Sequence, residues 1–311
     1  MMMRFAESLS KIFINSHAVS FLTVKRPCRF LQALVITLSR QSLRTHMQEN
    51  QSMRSSMLNI DKVTVRFGGI VALDGVSFDV QRGEIRGLIG PNGAGKSTLF
   101  NCLSRLYECN EGSIQFDGAT LSSLPRHRIA ALGVGRTFQN LALFKTMTVR
   151  ENILIGAHAH HHAGFLADTF RLPASRQAES RARESAEKAI ETLDLKHFVD
   201  KPVADLPFGT QKRVELARAL ATNPSLLLLD EPACGLNHEE LVGLGELIKE
   251  LRNSYGLTIL LVEHHMGLVM GVCQRIVALN FGRKIADGTP DEIKNNPEVI
   301  RAYLGDEEIA A

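Results

Sequence analysis

The sequence lacks long apolar segments, cysteine clusters and, over most of its length, an excess of basic residues. No apolar run approaches the ~18 residues of a membrane-crossing helix, so we expect no membrane span. The five cysteines of the 311-residue chain form no CxxC pair and no metal-like cluster, which is typical of a reducing compartment. With 44% apolar and 22% charged residues, the composition is that of an ordinary globular protein.

Charge is distributed unevenly along the chain. Residues 1–57 hold eight Lys and Arg but only two acids, whereas the rest holds 28 bases and 31 acids. This basic, Ser-rich leader is compatible with an organelle transit peptide. We favour either a disordered tail or a start that was assigned too early, with Met53 or Met57 as the true first residue. Residues 58–305 are predicted to be the folded domain and 306–311 a tail. Because the folded part has no basic excess, nucleic acid is not expected as a partner.

A glycine-rich loop lies between a predicted strand and a predicted helix. The strand EIRGLIG runs into GPNGAGKST at 90–98, the strand–GxxxxGK[ST]–helix arrangement of a P-loop. Its glycines let backbone N–H groups surround phosphate oxygens, Lys96 reaches the β- and γ-phosphates, and the Ser97 hydroxyl ligates Mg²⁺. We predict that the chain binds a nucleoside triphosphate. The predicted contacts are Gly90, Asn92, Gly93, Ala94, Gly95, Lys96, Ser97 and Thr98.

Two carboxylates follow a second apolar run, LLLLDEP at 226–232. Four consecutive leucines suit a parallel strand that is buried on both faces. Asp230 comes at its carboxyl end, where open α/β sheets bind their ligands, and is predicted to hold Mg²⁺ through water. Glu231 is predicted to polarise an attacking water. The pair, coupled to a P-loop, predicts hydrolysis rather than binding alone.

Two further candidates depend on their positions after predicted strands. TILLVEH at 258–264 ends in His264, which we expect to contact the γ-phosphate, whereas His265 is expected at the surface. Gln139 follows an apparent strand start in TFQNLALF. The crowded histidines His158 and His160–His162 lack the nearby acid or cysteine cluster that would complete a metal site, so a solvated loop is the favoured interpretation.

The order of these motifs resembles the ATP-binding cassette (ABC) family of transporter ATPases over residues 58–305. More narrowly, RFGGIVALDGVSF, GRTFQN, DEPACGLN, EHHMGLVMGVCQRIVALNFGRKIADGTP and NNPEVIRAYLG are similar to LivG-type ATP-binding subunits of branched-chain amino acid importers. The resemblance implies an α/β P-loop NTPase fold. This fold has a RecA-like core, an antiparallel β subdomain and a helical subdomain, here at approximately 140–220.

The resemblance also implies roles for individual residues, with ATP and Mg²⁺ as the ligands. Phe67 falls where the family stacks an aromatic residue on the nucleotide base. Gln139 falls at the Q-loop, which senses Mg²⁺ and water and contacts the membrane subunit. Gly235, Leu236 and Asn237 fall in the D-loop, and Asn237 stands where many members carry Asp.

The family signature LSGGQ is replaced here by LPFGT at 206–210. In the family this segment contacts the γ-phosphate of ATP held by the other subunit of a head-to-tail dimer. A bend at Gly209 and the positive end of the following helix are expected to remain, so anion attraction is retained. Pro207 lacks a backbone donor, and Thr210 could cap the helix. We therefore expect the two nucleotide sites of the assembled dimer to be unequal.

Partners and function follow from the same resemblance. It implies ATP hydrolysis coupled to uptake of amino acids, most often branched-chain, at the cytoplasmic face of the inner membrane. The implied partners are a second, LivF-like ATP-binding subunit, two membrane permease subunits that meet the helical subdomain near Gln139, and an extracytoplasmic solute-binding protein. One alternative is an export or lipopolysaccharide-extraction ATPase with nearly the same cassette. The other is a soluble ABC ATPase acting on nucleic acid or ribosomes, which usually has two nucleotide domains or a coiled-coil insertion.

Overall fold

The computed structural model describes residues 56–139, 141–158 and 173–304. The predicted tail at 306–311, almost all of the predicted leader and His160–His162 lie outside these ranges. The first strand begins at Ser56 rather than at the predicted boundary Leu58. Met57 is buried and its carbonyl accepts a hydrogen bond of 2.8 Å from the N–H of Asp117, so the strand needs this residue.

The described residues form strands and helices that alternate along most of the chain. The strands are β1 (Ser56–Phe67), β2 (Ile70–Gln81), β3 (Ile85–Ile89), β4 (Glu111–Phe116), β5 (Ala119–Thr120), β6 (Val134–Arg136), β7 (Leu226–Asp230), β8 (Thr258–Val262), β9 (Arg275–Asn280) and β10 (Arg283–Gly288). The helices are α1 (Lys96–Leu103), α2 (Arg128–Ala131), α3 (Val149–Ala157), α4 (Pro173–Thr192), α5 (Phe208–Ala221), α6 (His238–Tyr255), α7 (Met266–Val272), α8 (Pro290–Lys294) and α9 (Pro297–Leu304).

Two sheets organise the domain. An antiparallel four-stranded sheet has the order β2-β1-β4-β5, and a six-stranded sheet has the order β10-β9-β3-β8-β7-β6. In the larger sheet only β10 is antiparallel to its neighbour. This is the predicted α/β class, with a RecA-like core and an antiparallel β subdomain.

The larger sheet separates two hydrophobic cores. Every residue of β3, β7 and β8 is buried, as predicted for parallel strands covered on both faces. In β7, Leu227 and Leu229 contribute to the core shared with the helices, whereas Leu226 and Leu228 contribute to the core shared with the antiparallel sheet. Side chains alternate between faces along a strand, so one leucine run serves both cores.

The helical subdomain consists of α3, α4 and α5, which pack against one another. Helix α4 has an apolar face, on which Ala182, Ala186, Ala189 and Ile190 are buried. Their spacing of three or four residues places them on one side of the helix. None of the described helices combines the length and the apolar character that crossing a membrane requires.

Candidate active site

The predicted site segments meet at one edge of the larger sheet. Strands β3, β6, β7 and β8 are parallel, so their carboxyl ends face the same way. Lys96 begins the helix after β3, Asp230 ends β7, His264 follows β8 and Gln139 follows β6. Side chains that are far apart in sequence are therefore collected at this edge.

The glycines of the P-loop have conformations that other residues do not readily adopt. Gly90 has φ +151° and Gly95 has φ +101°. A Cβ at Gly90 would lie 2.3 Å from the carbonyl oxygen of Leu279, and one at Gly95 would lie 2.6 Å from that of Ala72. Because both contacts are with backbone, neither can relax easily. The loop therefore lies directly on its neighbours and ends at α1, which begins at Lys96 as predicted.

Lys96 is almost completely buried at the start of α1. Its Nζ donates to the carbonyl oxygens of Gly90 at 2.6 Å and Pro91 at 3.0 Å. Burial lowers the pKa of Lys96, while the charges of Glu231 and Asp230 act in the opposite direction. The ammonium group thus lies within the field of both predicted carboxylates, the arrangement expected where phosphate and a cation are held together.

Asp230 has a cationic partner that the sequence analysis did not assign. Its Oδ2 accepts a hydrogen bond of 3.0 Å from Arg136, and both side chains are largely buried. Burial raises the pKa of Asp230, and the hydrogen bond and charge of Arg136 oppose that rise. Arg136 also donates to Asn101 at 3.0 Å and Ser104 at 2.9 Å at the end of α1. The only sequence signal for Arg136 was its place three residues before Gln139.

The structure brings Gln139 and Glu231 into direct contact. Gln139 Nε2 donates to Glu231 Oε2 at 2.9 Å. Glu231 has the unusual φ of +47°, and its N–H donates to the carbonyl oxygen of Val262 at 2.9 Å. This hydrogen bond to the neighbouring strand holds the backbone turn at Glu231. Glu231 is half-buried, so water can reach the carboxylate that is predicted to activate it.

His264 is exposed next to a fully buried acid, Glu263. Glu263 accepts backbone hydrogen bonds from Ala233 at 2.6 Å, His264 at 3.0 Å and His265 at 3.3 Å. It therefore fixes the turn that carries His264 and joins it to the segment after β7. The sequence analysis overlooked Glu263, although an acid at the end of an apolar strand was a visible signal. His265, expected at the surface, is half-buried.

Phe67 forms an exposed aromatic pair with a second residue that the sequence analysis missed, Tyr107. Their ring centroids are 5.1 Å apart in an edge-to-face arrangement, and the exposed fractions are 45% for Phe67 and 40% for Tyr107. Exposed rings of this kind offer a flat apolar surface to a planar partner.

The divergent segment at 206–210 differs from its prediction. Helix α5 begins at Phe208, and Pro207 occupies the position before its first turn. The predicted bend at Gly209 and the cap by Thr210 are therefore wrong, because both residues lie inside that first turn. Pro207 has φ −56° and ψ 149°, an extended conformation that the proline ring allows and that stops the helix from starting earlier.

The predicted D-loop begins a helix. Asn237 is the N-cap of α6: its side chain accepts from the N–H of Glu240 at 2.9 Å, and Glu240 accepts from the N–H of Asn237 at 2.8 Å. This reciprocal pair is a capping box. Gly235 has φ +78°, and a Cβ there would lie 3.1 Å from the ring of Phe208. Leu236 lies between Gly235 and Asn237 in the sequence.

A groove of about 760 Å³ joins the acidic strand end to the divergent helix. Its lining includes Gln139, Asp230 and Glu231 at the edge of the sheet, and Gly209 and Thr210 at the start of α5. The P-loop residues Asn92, Gly93 and Ala94 line a separate cavity of about 450 Å³ together with α9. The described chain thus carries a basic phosphate loop, a buried carboxylate and a water-accessible acid at one sheet edge.

Two family models match the chain. The model described as "ABC transporter" matches residues 73–234. The model described as "Branched-chain amino acid ATP-binding cassette transporter" matches residues 283–309. The first range includes the P-loop, Gln139, Asp230 and Glu231, and the second includes the C-terminal segment.

Curated relatives are similar over most of the chain. The high-affinity branched-chain amino acid transport ATP-binding protein BraF of Pseudomonas aeruginosa is 46% identical over 82% of this chain and 100% of its own length. The corresponding protein LivG of Escherichia coli is 44% identical with the same coverage. The lipopolysaccharide export system ATP-binding protein LptB of Haemophilus influenzae is 34% identical over 81% of this chain and 98% of its own.

Solved structures agree with these relatives. A nucleotide-free ATP-binding cassette from an ABC transporter has a TM-score of 0.70 and 32% identity, and covers 80% of this chain and 99% of that chain. A dimeric, post-hydrolysis cassette bound to ADP and Pi has a TM-score of 0.63 and 25% identity. This match covers 75% of this chain and 99% of that chain. The chain belongs to the ABC transporter family, as an ATP-hydrolysing, LivG-like ATP-binding subunit.

Proposed function

We propose that this chain powers an importer of amino acids, with branched-chain amino acids as the substrate class, through separate membrane permease subunits. The observation that carries this proposal is the 46% identity to BraF over that protein's whole length. The match of residues 283–309 to the branched-chain amino acid cassette model supports it independently. LptB, at 34% identity, supports lipopolysaccharide export less well.

The proposed chemistry is hydrolysis of MgATP. A buried carboxylate at Asp230 and a hydroxyl at Ser97 are hard oxygen donors, which suit Mg²⁺. When bound, Mg²⁺ would neutralise charge on the phosphates. Lys96 and the backbone of the P-loop bind the β- and γ-phosphates. Burial raises the pKa of Asp230, and the charge and hydrogen bond of Arg136 favour its ionised form against that effect.

The remaining residues act on the attacking water, the γ-phosphate and the adenine base. Glu231 accepts a proton from the attacking water, and Gln139, which donates to it at 2.9 Å, orients that carboxylate. His264, on the turn held by Glu263, contacts the γ-phosphate. Phe67, with Tyr107 beside it, stacks on the adenine base.

The site is completed by a second ATP-binding subunit in this proposal. A related cassette is a dimer with ADP and Pi, which supports the pairing of two ATP-binding subunits; the head-to-tail arrangement is part of the proposal. Gly209, Thr210 and the segment Gly235 to Asn237 would face the nucleotide of the partner. That partner is proposed to be a LivF-like chain, with two permeases and a solute-binding protein completing a complex at the cytoplasmic face of the membrane.

Glu231→Gln tests the chemistry. The amide keeps the hydrogen-bonding shape but cannot accept the proton, so we expect ATP binding to be retained and hydrolysis to fall by ~10²-fold or more. ATP binding is measured by calorimetry and phosphate release by a coupled assay. Glu250→Gln, an exposed change on α6, is the matched control. Full turnover in Glu231→Gln would remove Glu231 from the mechanism.

Transport tests the physiological role. The chain is co-expressed with candidate membrane permease subunits, and the complex is reconstituted in vesicles. We expect ATP-dependent uptake of leucine, isoleucine or valine that Glu231→Gln abolishes. Removal of lipopolysaccharide from the membrane instead of amino acid uptake would favour the export function.

A further inference from the structure

The C-terminal helix reaches the first residue of the P-loop. The N–H of Gly90 donates to the hydroxyl oxygen of Tyr303 on α9 at 2.7 Å. The two residues are far apart in sequence, and Tyr303 lies in the segment matched by the second family model. No role in nucleotide binding follows from the P-loop motif for a residue at this distance.

Gly90 is held at three points. Its N–H donates to Tyr303, its carbonyl oxygen accepts from Lys96 Nζ at 2.6 Å, and its Cα lies so close to Leu279 that a Cβ would be 2.3 Å from the Leu279 carbonyl oxygen. The peptide groups on both sides of Gly90 are therefore fixed by different parts of the fold. One of these three contacts is the hydrogen bond from the Lys96 ammonium group, the group proposed to bind phosphate.

The hydroxyl of Tyr303 is suited to this contact. Burial raises the pKa of Tyr303, while the hydrogen bond from Gly90 opposes the rise, so the group is a neutral hydroxyl at physiological pH. Tyr303 lies on α9 and keeps 38% of its surface exposed, whereas Gly90 is buried. A backbone N–H at such a site that loses its acceptor is left poorly satisfied.

We propose that Tyr303 is a positioning residue for ATP binding: its hydroxyl holds the Gly90 peptide, and through the carbonyl of Gly90 it sets the location of the Lys96 ammonium. This rests on the proposed function of the P-loop as the MgATP site. It follows that α9 controls nucleotide affinity, because any displacement of this helix moves the acceptor to which Lys96 is bound.

Tyr303→Phe removes only the hydroxyl. We expect the Kd and the KM for MgATP to rise at least about fivefold, or ~1 kcal/mol, with kcat changed much less because Glu231 and Asp230 are untouched. The matched control is Tyr255→Phe, which removes a hydroxyl that is 2.9 Å from Thr192 Oγ1 on the helical side of the domain. Binding is measured by calorimetry with purified protein, kinetics by phosphate release in the assembled complex, and Tm by thermal unfolding.

A double-mutant cycle separates positioning from general stability. If Tyr303 acts through Lys96, Tyr303→Phe has little further effect on the residual MgATP affinity of Lys96→Met. Equal loss of affinity in both backgrounds, or equal effects of Tyr303→Phe and Tyr255→Phe on Kd and Tm, would overturn the proposal. An unchanged Kd in Tyr303→Phe would overturn it as well. Absence of MgATP binding in the unaltered protein would instead refute the proposed function itself.

Discussion

At the scale of single residues, the buried pair of Arg136 and Asp230 links the two nucleotide motifs. Arg136 lies at the end of β6, donates to Asp230 at the end of β7 and also contacts the end of α1. A carboxylate in this place needs a counter-charge because burial disfavours its ionised form. The arginine supplies that charge and holds the acid in register with the helix of the P-loop.

Arg136→Ala is expected to lower the free energy of unfolding by about 3–5 kcal/mol, because it leaves Asp230 buried without its partner. The control is Arg66→Ala, which removes an exposed ion pair of 2.7 Å with Glu111 and should cost about 0–1 kcal/mol. Urea denaturation measures both. Small and equal losses of unfolding free energy in the two variants would show that the buried pair stabilises the protein no more than the exposed pair does.

At the scale of secondary-structure elements, a residue that the resemblance assigns to the D-loop also shapes a helix. Asn237 falls in the predicted D-loop, and its side chain caps α6. Lys212 on α5 donates to the carbonyl oxygens of Pro232 at 2.8 Å and of Cys234, so α5 and the D-loop are tied together. The divergent helix and the D-loop therefore form one connected surface.

Asn237→Ala is expected to destabilise the protein by about 1 kcal/mol through loss of the N-cap, whereas Asn237→Asp keeps the cap and should be close to neutral. Thermal unfolding measures stability, and phosphate release in the assembled complex measures activity. If Asn237→Ala reduces turnover while the Tm is unchanged, the side chain acts in the D-loop rather than as a cap.

Glu215 on α5 gives a pH-dependent prediction. It accepts from the N–H of Phe138 at 3.2 Å and lies 4.0 Å from Arg218; Lys212 is also nearby. Burial raises the pKa of Glu215, against the effect of its hydrogen bonds and of Arg218. A raised acid pKa means that ionised Glu215 costs stability above the folded pKa, and that this cost disappears as pH falls towards the unfolded value of about 4.3.

Glu215→Gln, which keeps an acceptor for Phe138, should therefore gain most over the unaltered protein near neutral pH. The difference in the free energy of unfolding should shrink as the pH falls from about 7 to about 4.3, the unfolded pKa. Urea denaturation at both values tests this, with Glu250→Gln as the control for the amide substitution. A difference that grows on acidification would contradict the assigned direction.

At the scale of the whole molecule, the divergent sequence at the start of α5 predicts that the two nucleotide sites of the assembled dimer contribute unequally to ATP hydrolysis. Phe208, Gly209 and Thr210 form the first turn here, in place of the signature of the family. Contacts of this electrostatic kind contribute about 2.7–4 kcal/mol in oxyanion-type sites, or ~10²–10³ in rate. The site that combines this chain's P-loop with the signature of its partner should be the stronger.

Lys96→Ala in this chain and the equivalent change in the partner should thus reduce the ATPase rate of the assembled complex to different extents, with the larger loss from Lys96→Ala. Phosphate release and complex assembly are measured for both variants. Equal losses at equal assembly would rule out the predicted asymmetry.

Local patterns predicted more of the site than of its support. Gly90 to Thr98, Asp230 and Glu231 were found because a loop motif and a buried strand end are contiguous in sequence. The roles of Arg136, Glu263 and Tyr303 depend on partners in other elements. The sequence around these residues does not identify those partners, although the place of Glu263 at the end of an apolar strand made it a visible candidate. The start of α5 was mistaken because Gly209 was taken for a bend, whereas Pro207 determines where the helix begins.

The P-loop motif, the alternation that buries β7 between two cores and the α/β class can be predicted from the sequence alone, because backbone dihedrals and side-chain periodicity are local properties. The groups that surround these motifs are set by the tertiary structure. It placed Arg136 on Asp230, Glu263 beneath the turn of His264 and Tyr303 on Gly90. Such contacts form when strands and helices pack, since parallel strand order and helix docking bring together residues that the chain keeps far apart.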